Sequence, residues 1–399
     1  MPVESKPVAL LKLARPLFAL AALGVASGAF AEEEKEAGKV ADASAAQNVA
    51  ATATAAEPTP PPTVATTEPE QDQWFKRIKV EGLIDTFYSH NFAGADRIPS
   101  SLRVFDASNS AFTVAYAELA VSMPASPVGF RLDLGFGPVA DFTSFDALDP
   151  REPGVSEVLK HLQQAYGSVA IGKTGWVVDA GKFVTTAGAE VIEARFNWNY
   201  SRSILFGYAI PFTHTGIRVG GPITDTISLQ ASLVNGWEVI NDNNRFKTLG
   251  LSGTFAPPTG TTVTLTLYGG PEGETATPWR NIADLVVLQK MGDRLALGLN
   301  GDYGNEGENA SWYGAALMAE YKFTPWFRLA GRAERFYDPD GVRGIGTDVS
   351  EGTLTAGFAV GSNAEIRAEV RGDTSPERLF RDGTQFRQAT GAVALLAWF

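Results

Sequence analysis

From Gln73 to Phe399 the apolar residues recur with a period of two, the signature of β-strands whose two faces meet different surroundings. In Ala364–Arg371, Glu365, Arg367, Glu369 and Arg371 share one face, while Ile366, Ala368 and Val370 share the other. Phe130–Phe136 repeats this, with Arg131 and Asp133 opposite Phe130, Leu132, Leu134 and Phe136. Thr262, Thr264 and Thr266 alternate with Val263, Leu265 and Leu267, and Ser228, Gln230 and Ser232 with Leu229, Ala231 and Leu233.

A soluble sandwich also alternates, so the connections must decide. Strands are expected near 79–91, 111–122, 127–137, 161–172, 175–185, 202–219, 225–236, 246–256, 261–270, 281–291, 293–303, 312–323, 326–336, 350–361, 364–373 and 386–399. Links after even-numbered strands are tight, as at 123–126, 172–175, 256–260, 291–293, 323–326 and 361–364. Links after odd-numbered strands are longer, above all at 91–110 and 138–160. Short turns on one rim and long loops on the other predict an all-β fold. It is a closed antiparallel transmembrane β-barrel of about 16 strands, 14 or 18 being the alternatives, with short periplasmic turns and long extracellular loops. Trp74, Tyr88, Trp176, Trp312, Tyr313, Tyr321 and Trp326 fall near strand ends, where aromatic girdles belong. The last strand departs from the pattern: Ala392 to Phe399 is apolar on both faces.

Composition is compatible with this reading. Past the N-terminus there is no apolar run of roughly 18 residues, as a membrane helix requires. Alternating strands place only half their residues in lipid, so mean hydropathy stays near zero. The chain has no cysteine, which excludes disulfides, thiol catalysis and Cys-ligated zinc. A net charge of −12 argues against nucleic acid as a partner.

Residues 1–31 read as a signal peptide: Lys6, Lys12 and Arg15 precede the apolar stretch from Leu17 to Phe30, and Ala29-Phe30-Ala31 supplies a small-x-small cleavage site. Residues 32–72, rich in Ala, Thr, Pro and Glu, carry too few large apolar groups to offset ordering entropy and read as a disordered acidic linker. The barrel domain is expected over 73–399.

Five segments carry a family resemblance: Gly82–Tyr88, Ala180–Thr185, Asn199–Phe206, Pro211–Gly216 and Arg332–Gly341. Together they resemble the OmpL-like β-barrel porins of the bacterial outer membrane, over about residues 76–399. The resemblance implies a pore for small polar solutes or ions, without defining the solute. The terminal Trp398-Phe399 resembles the signal read by the barrel assembly machinery, an expected partner through Phe399, beside outer-membrane lipid and lipopolysaccharide. A homotrimer follows by analogy with 16-stranded general porins.

A pore works at its narrowest section, where charged side chains sort ions and dipoles. The third long loop, Thr186 to Asn199, is the expected constriction: Val191, Ile192 and Phe196 would pack it on the wall while Glu190, Glu193 and Arg195 face water. The opposing charges are expected from Arg131, Asp133, Arg328, Arg332, Glu334, Glu365, Arg367, Glu369 and Arg371, because an Arg facing lipid at mid-bilayer costs about 2–4 kcal/mol. The Glu365–Arg371 charges would equally serve as a ladder that satisfies itself. No cofactor or metal is implied and no enzyme is expected: His90, His161 and His214 lack metal-ligand spacing. Gly167–Thr174 matches the P-loop letters but reads as strand and turn, without the following helix a phosphate cradle needs. Asp338-Pro-Asp-Gly341 and Asn241–Asn244 read as turns rather than Ca²⁺ sites. The alternative to a pore is a non-conducting barrel serving as adhesin or structural anchor.

Overall fold

The computed structural model describes residues 74–94, 102–143, 158–240, 242, 244–273 and 276–399, so the signal-peptide and linker readings lie outside the described residues. Sixteen strands follow in chain order: β1 (Lys79–Asn91), β2 (Ala111–Met123), β3 (Val128–Phe136), β4 (Leu162–Ala170), β5 (Val177–Val184), β6 (Thr213–Pro222), β7 (Ile227–Val234) and β8 (Thr248–Phe255). Then come β9 (Thr261–Pro271), β10 (Trp279–Met291), β11 (Leu295–Glu306), β12 (Ala310–Thr324), β13 (Phe327–Tyr337), β14 (Asp348–Val360), β15 (Ala364–Thr374) and β16 (Arg387–Trp398). Each pairs antiparallel with its sequence neighbours, and β1 pairs with β16 from Leu83↔Trp398 to Asn91↔Thr390, closing the barrel.

The pleat sorts the side chains as the period requires. On β15, Glu365, Arg367, Glu369, Arg371 and Asp373 are buried in the lumen, and Ile366 and Val370 are exposed on the outer wall. Leu317, at the centre of β12, is 63% exposed on the lipid face. The tight turns are closed by glycines at positive φ, as at Gly292 (φ 65) and Gly361 (φ 65), a conformation that costs other residues steric strain. At that rim Trp326, Phe327 and Phe358 stack, with centroids 5.2 Å apart for Phe327–Phe358. At the other rim Tyr313 and Tyr337 stack at 4.8 Å.

Trp312 does not belong to a girdle. Its parity is opposite to that of Tyr313, so it points inward, is 0% exposed and donates Nε1–H to Ala209 O at 3.0 Å. The sixth strand also differs from expectation. It begins at Thr213, and residues 202–212 fold into the lumen, with Leu205–Ala209 forming a π-helical turn. The poor alternation of β16 has the same origin. Its inward Ala392, Ala394 and Leu396 belong to one apolar cluster with Tyr200, Ile204, Leu205 and Phe206, so an apolar filling replaces water at that wall. Gly167–Thr174 is the end of β4 and the turn into β5, as its sequence context requires.

Candidate functional site

The connection from β5 to β6, residues 185–212 (here L3), folds into the barrel instead of standing on its rim. A chain segment away from water must find partners for its backbone N–H and C=O groups. Because L3 has little regular structure of its own, the partners come from the wall. Glu369 accepts from Tyr200 N at 2.7 Å and Ser201 N at 3.1 Å. Glu334 accepts from Ile204 N and from Leu205 N, the latter at 3.1 Å. Asp284 accepts from Gly188 N at 2.9 Å, and Asn300 from Ala189 N at 3.3 Å.

The guanidiniums satisfy the carbonyls. Arg367 Nη1 donates to Ala194 O at 2.8 Å, Arg371 Nη1 to Arg202 O at 2.7 Å, Arg332 Nη1 to Ser201 O at 2.7 Å and Arg328 Nη1 to Trp198 O at 2.7 Å. Each such charge-assisted bond contributes on the order of 1.5–3 kcal/mol. The same side chains pair with one another: Arg328 with Glu365 at 2.7 Å and Glu320 at 3.0 Å, Arg367 with Glu365 at 2.7 Å, and Arg371 with Asp373 at 2.7 Å. The Glu365–Arg371 charges are therefore partly a ladder and partly a set of hooks for L3.

L3 lies against β9–β16 and β1. Asn199 Nδ2 reaches Thr355 on β14 at 2.8 Å, and Tyr200 Oη reaches Asp85 on β1 at 2.9 Å. Thr186 O accepts from Thr266 on β9 at 3.2 Å. The inner faces of β4–β8 carry a different network. Ser168 and Arg218 both donate to Asp179, at 2.6 and 2.8 Å, and Arg218 lies 4.4 Å over the Phe183 ring. Ser252 and Thr254 bond Thr266 and Thr264 on β9, at 3.0 and 3.1 Å. Among the described residues this wall combines hydroxyls and amides with the rings of Tyr166, Phe183 and His214 and one Asp–Arg pair.

Of the twelve residues expected at the constriction, four come together in the short-turn half of the lumen. Glu193 Oε2 accepts from Arg195 Nε at 2.7 Å, and Arg195 approaches Glu81 at 3.9 Å. Arg131 Nε donates to Asp133 Oδ2 at 2.7 Å, and Glu193 lies within electrostatic reach of both Arg131 and Asp133. Burial pushes the Glu193 carboxyl above the usual carboxylate range, against the pull of Arg195 and Arg131. The other eight, Glu190, Arg328, Arg332, Glu334, Glu365, Arg367, Glu369 and Arg371, lie at the docking face of L3.

The expectation that Glu190, Glu193 and Arg195 face water does not hold: Glu190 is buried against Arg332 at 2.7 Å, and Glu193 and Arg195 are largely covered. The loop's carboxylates are needed to meet wall guanidiniums and its own amides, as when Glu190 caps Ser203 N at 2.7 Å.

Residues outside the expected set also contribute. Glu118 on β2 lies near Glu193 and Asp133, and Asp179 faces Arg218 on the bare wall. The apolar half of L3, Tyr200 to Phe212, carried a signal of its own. Ile204-Leu205-Phe206 breaks the alternation, and Pro211 is unfavourable inside a strand.

No described group of three or more His, Asp or Glu could hold a metal ion. His214 stacks on Tyr268 at 4.5 Å and His161 on Phe136 at 4.7 Å, while His90 bonds Ser110 at 2.9 Å. Asp338 accepts from the backbone of Arg343, Ile345 and Gly346, which makes it a turn former.

A closed 16-stranded barrel with apolar outer wall, polar inner wall and an inserted third loop defines a porin-type transmembrane β-barrel. The chain belongs to the family described as "Putative beta-barrel porin-2, OmpL-like", whose model matches residues 77–399. None of the curated proteins matches it in sequence. Among solved structures it is similar to the outer membrane channel DcaP of Acinetobacter baumannii, at 10% identity and a TM-score of 0.56, covering 81% of this chain and 97% of that one. It is also similar to Salmonella typhi OmpF in complex with daunomycin, at 10% identity and a TM-score of 0.57, covering 81% and 97%. A trimer form of OmpT from Vibrio cholerae matches at 12% identity and a TM-score of 0.50, covering 81% and 99%. At these identities the likeness is one of fold. The protein is a porin-like channel of the outer membrane, and its family and fold point to a non-enzymatic role.

Proposed function

We propose that the protein is an outer-membrane porin through which small hydrophilic solutes diffuse passively, along a route between L3 and the inner faces of β3–β8. The observation that supports this most is the one-sided docking of L3. Its described bonds to strands run to β9–β15 and β1, with Phe212 N alone reaching Glu238 between β7 and β8 at 2.7 Å, while the Ser, Thr, Gln, Asp and Arg side chains of β4–β8 bond largely within the wall. The charged constriction along this route is formed by Glu193 and Arg195 on the loop, facing Arg131 and Asp133 on β3, with Glu118 beside them. Arg328, Arg332, Arg367, Arg371 and Glu190 act there indirectly, by fixing the loop. No cofactor takes part in passive diffusion.

The second reading is a non-conducting barrel acting as adhesin or structural anchor through its long loops. It is favoured by the apolar filling around Leu205, Phe206 and Trp312. Planar-bilayer recording separates the two: stepwise openings support the pore, and sealed membranes after verified insertion support the anchor. Three associations complete the proposal. Phe399 is read by the barrel assembly machinery, the outer wall contacts lipid and lipopolysaccharide, and the protein assembles as a homotrimer, as the trimer form of OmpT does. Residues 1–31 act as the secretory signal and 32–72 as an acidic spacer.

A further inference from the structure

Most buried charges of the lumen are paired; Asp302 is not. It stands directly opposite Asp284 in the β10–β11 register. Asp284 is 0% exposed and Asp302 5% exposed, and no described donor reaches either oxygen of Asp302. Asp284, by contrast, accepts from Gly188 N of L3 at 2.9 Å and from Asn300 Nδ2 at 2.6 Å. Directly opposed side chains in an antiparallel pair have Cβ atoms about 4.5–5.5 Å apart. Two bare carboxylates at that range, away from water, repel strongly, and such pairs hold a proton between them.

We infer that Asp284 and Asp302 share one proton and form a latch on L3 that is closed by acid and released by base. Asp284, with two donors already directed at it, is the carboxylate; Asp302 carries the proton and donates to it. Among the described residues the surroundings supply no compensating cation. β9 presents Thr266 opposite Asp284, β12 presents Gly314 opposite Asp302, and L3 covers them with Gly188 and with Leu205, which packs over Gly314. The other charged group facing Asp302 is Glu334 on β13, itself beside Arg332 and Arg371 and directed at L3 amides. Loss of the shared proton adds a third negative charge to this corner. Asp284 is then repelled from its position under Gly188, and the adjoining Asn300–Ala189 bond loses its support.

This latch goes beyond passive diffusion and holds or fails whether or not the barrel conducts. The test is hydrogen exchange of the L3 segment in the folded, detergent-solubilised protein, corrected for intrinsic exchange, at about pH 6 and about pH 9. Protection of the Gly188 and Ala189 amides is expected to fall at least about tenfold at the higher pH in the wild type. It should persist in Asp302→Asn, whose amide mimics the protonated acid. Equal protection at both pH values, or the same fall in Asp302→Asn, overturns the latch. Should Asp302→Asn not fold, infrared titration of the wild type against Asp284→Asn decides: a protonated-carboxyl band at neutral pH that vanishes with base and is missing from Asp284→Asn supports the shared proton. Its absence, or protection that follows sodium concentration at fixed pH, overturns it.

Discussion

Arg332, on the inner face of β13, donates from Nη1 to Glu190 of L3 at 2.7 Å and from Nε to Glu351 of β14 at 2.6 Å, with its side chain 0% exposed. One guanidinium thus ties the inserted loop to two strands of the wall and also reaches Ser201 O at 2.7 Å.

Removing it leaves two buried carboxylates without their cation. Arg332→Ala should lower barrel stability by about 3–5 kcal/mol, the cost of breaking a buried pair. The loss is measurable as a shifted denaturant midpoint of the detergent-folded protein. Arg332→Lys should recover only part of it, because an ammonium cannot serve Glu190, Glu351 and Ser201 with a planar fork.

Leu205, fully buried among β11, β12 and the rest of L3, tests the apolar half of the loop. Leu205→Ala should cost about 2–5 kcal/mol through the cavity it leaves. If Leu205 stood on a strand facing lipid instead, the change would register far less in the same unfolding experiment.

The constriction has an excess of acid. Glu81, Asp133, Asp179 and Glu193, four carboxylates, face Arg131, Arg195 and Arg218, three guanidiniums, along the proposed route. Cation preference is therefore expected, read as a reversal potential in asymmetric salt, and Glu81→Gln, which removes an exposed charge, should move that potential toward zero. Because the Glu193 carboxyl is shifted upward by burial, it gains its proton at a higher pH than an exposed glutamate. Acidification should therefore weaken cation preference before ordinary surface carboxylates titrate.

Asp106 responds in the opposite sense. Burial opposes its ionisation, but Arg103, bonded to it, together with Arg371 and Arg202 holds its carboxyl below the usual range. A depressed acid contributes stability that is present above its unfolded value of about 3.9 and lost as pH falls through the lower folded value. The first extracellular loop, described over 102–110, should therefore stay docked at mildly acid pH and become protease-sensitive only under strong acid. Asp106→Asn should show that sensitivity at neutral pH.

The barrel itself was legible because alternation is a direct consequence of one wall in lipid and one in a polar lumen. Glu365 to Arg371 and Thr262 to Leu267 announce their faces residue by residue. The loop was legible only in part. Parity and loop order point to Glu193, Arg195, Arg131 and Asp133, and the structure brings these four together. Residues 202–212 resemble strand in sequence because an apolar run looks alike whether it faces lipid or fills a lumen. The docking role of the wall arginines is hidden for a related reason. Parity puts Arg367 and Arg371 inside but says nothing of the loop carbonyls that receive their donors. Long-range partners of that kind leave no local trace.

The chain contains no cysteine, so introduced thiols report without background. The most direct test of a lumen shared between a docked loop and a wet wall is single-channel recording during exposure to a charged, water-soluble thiol reagent. Gln230→Cys, on the inner face of β7, should be modified with a stepwise fall in conductance, while Thr355→Cys, buried under Asn199 of L3, should be unaffected. Modification at Thr355→Cys with Gln230→Cys inert, or inserted protein that never conducts, would contradict the account.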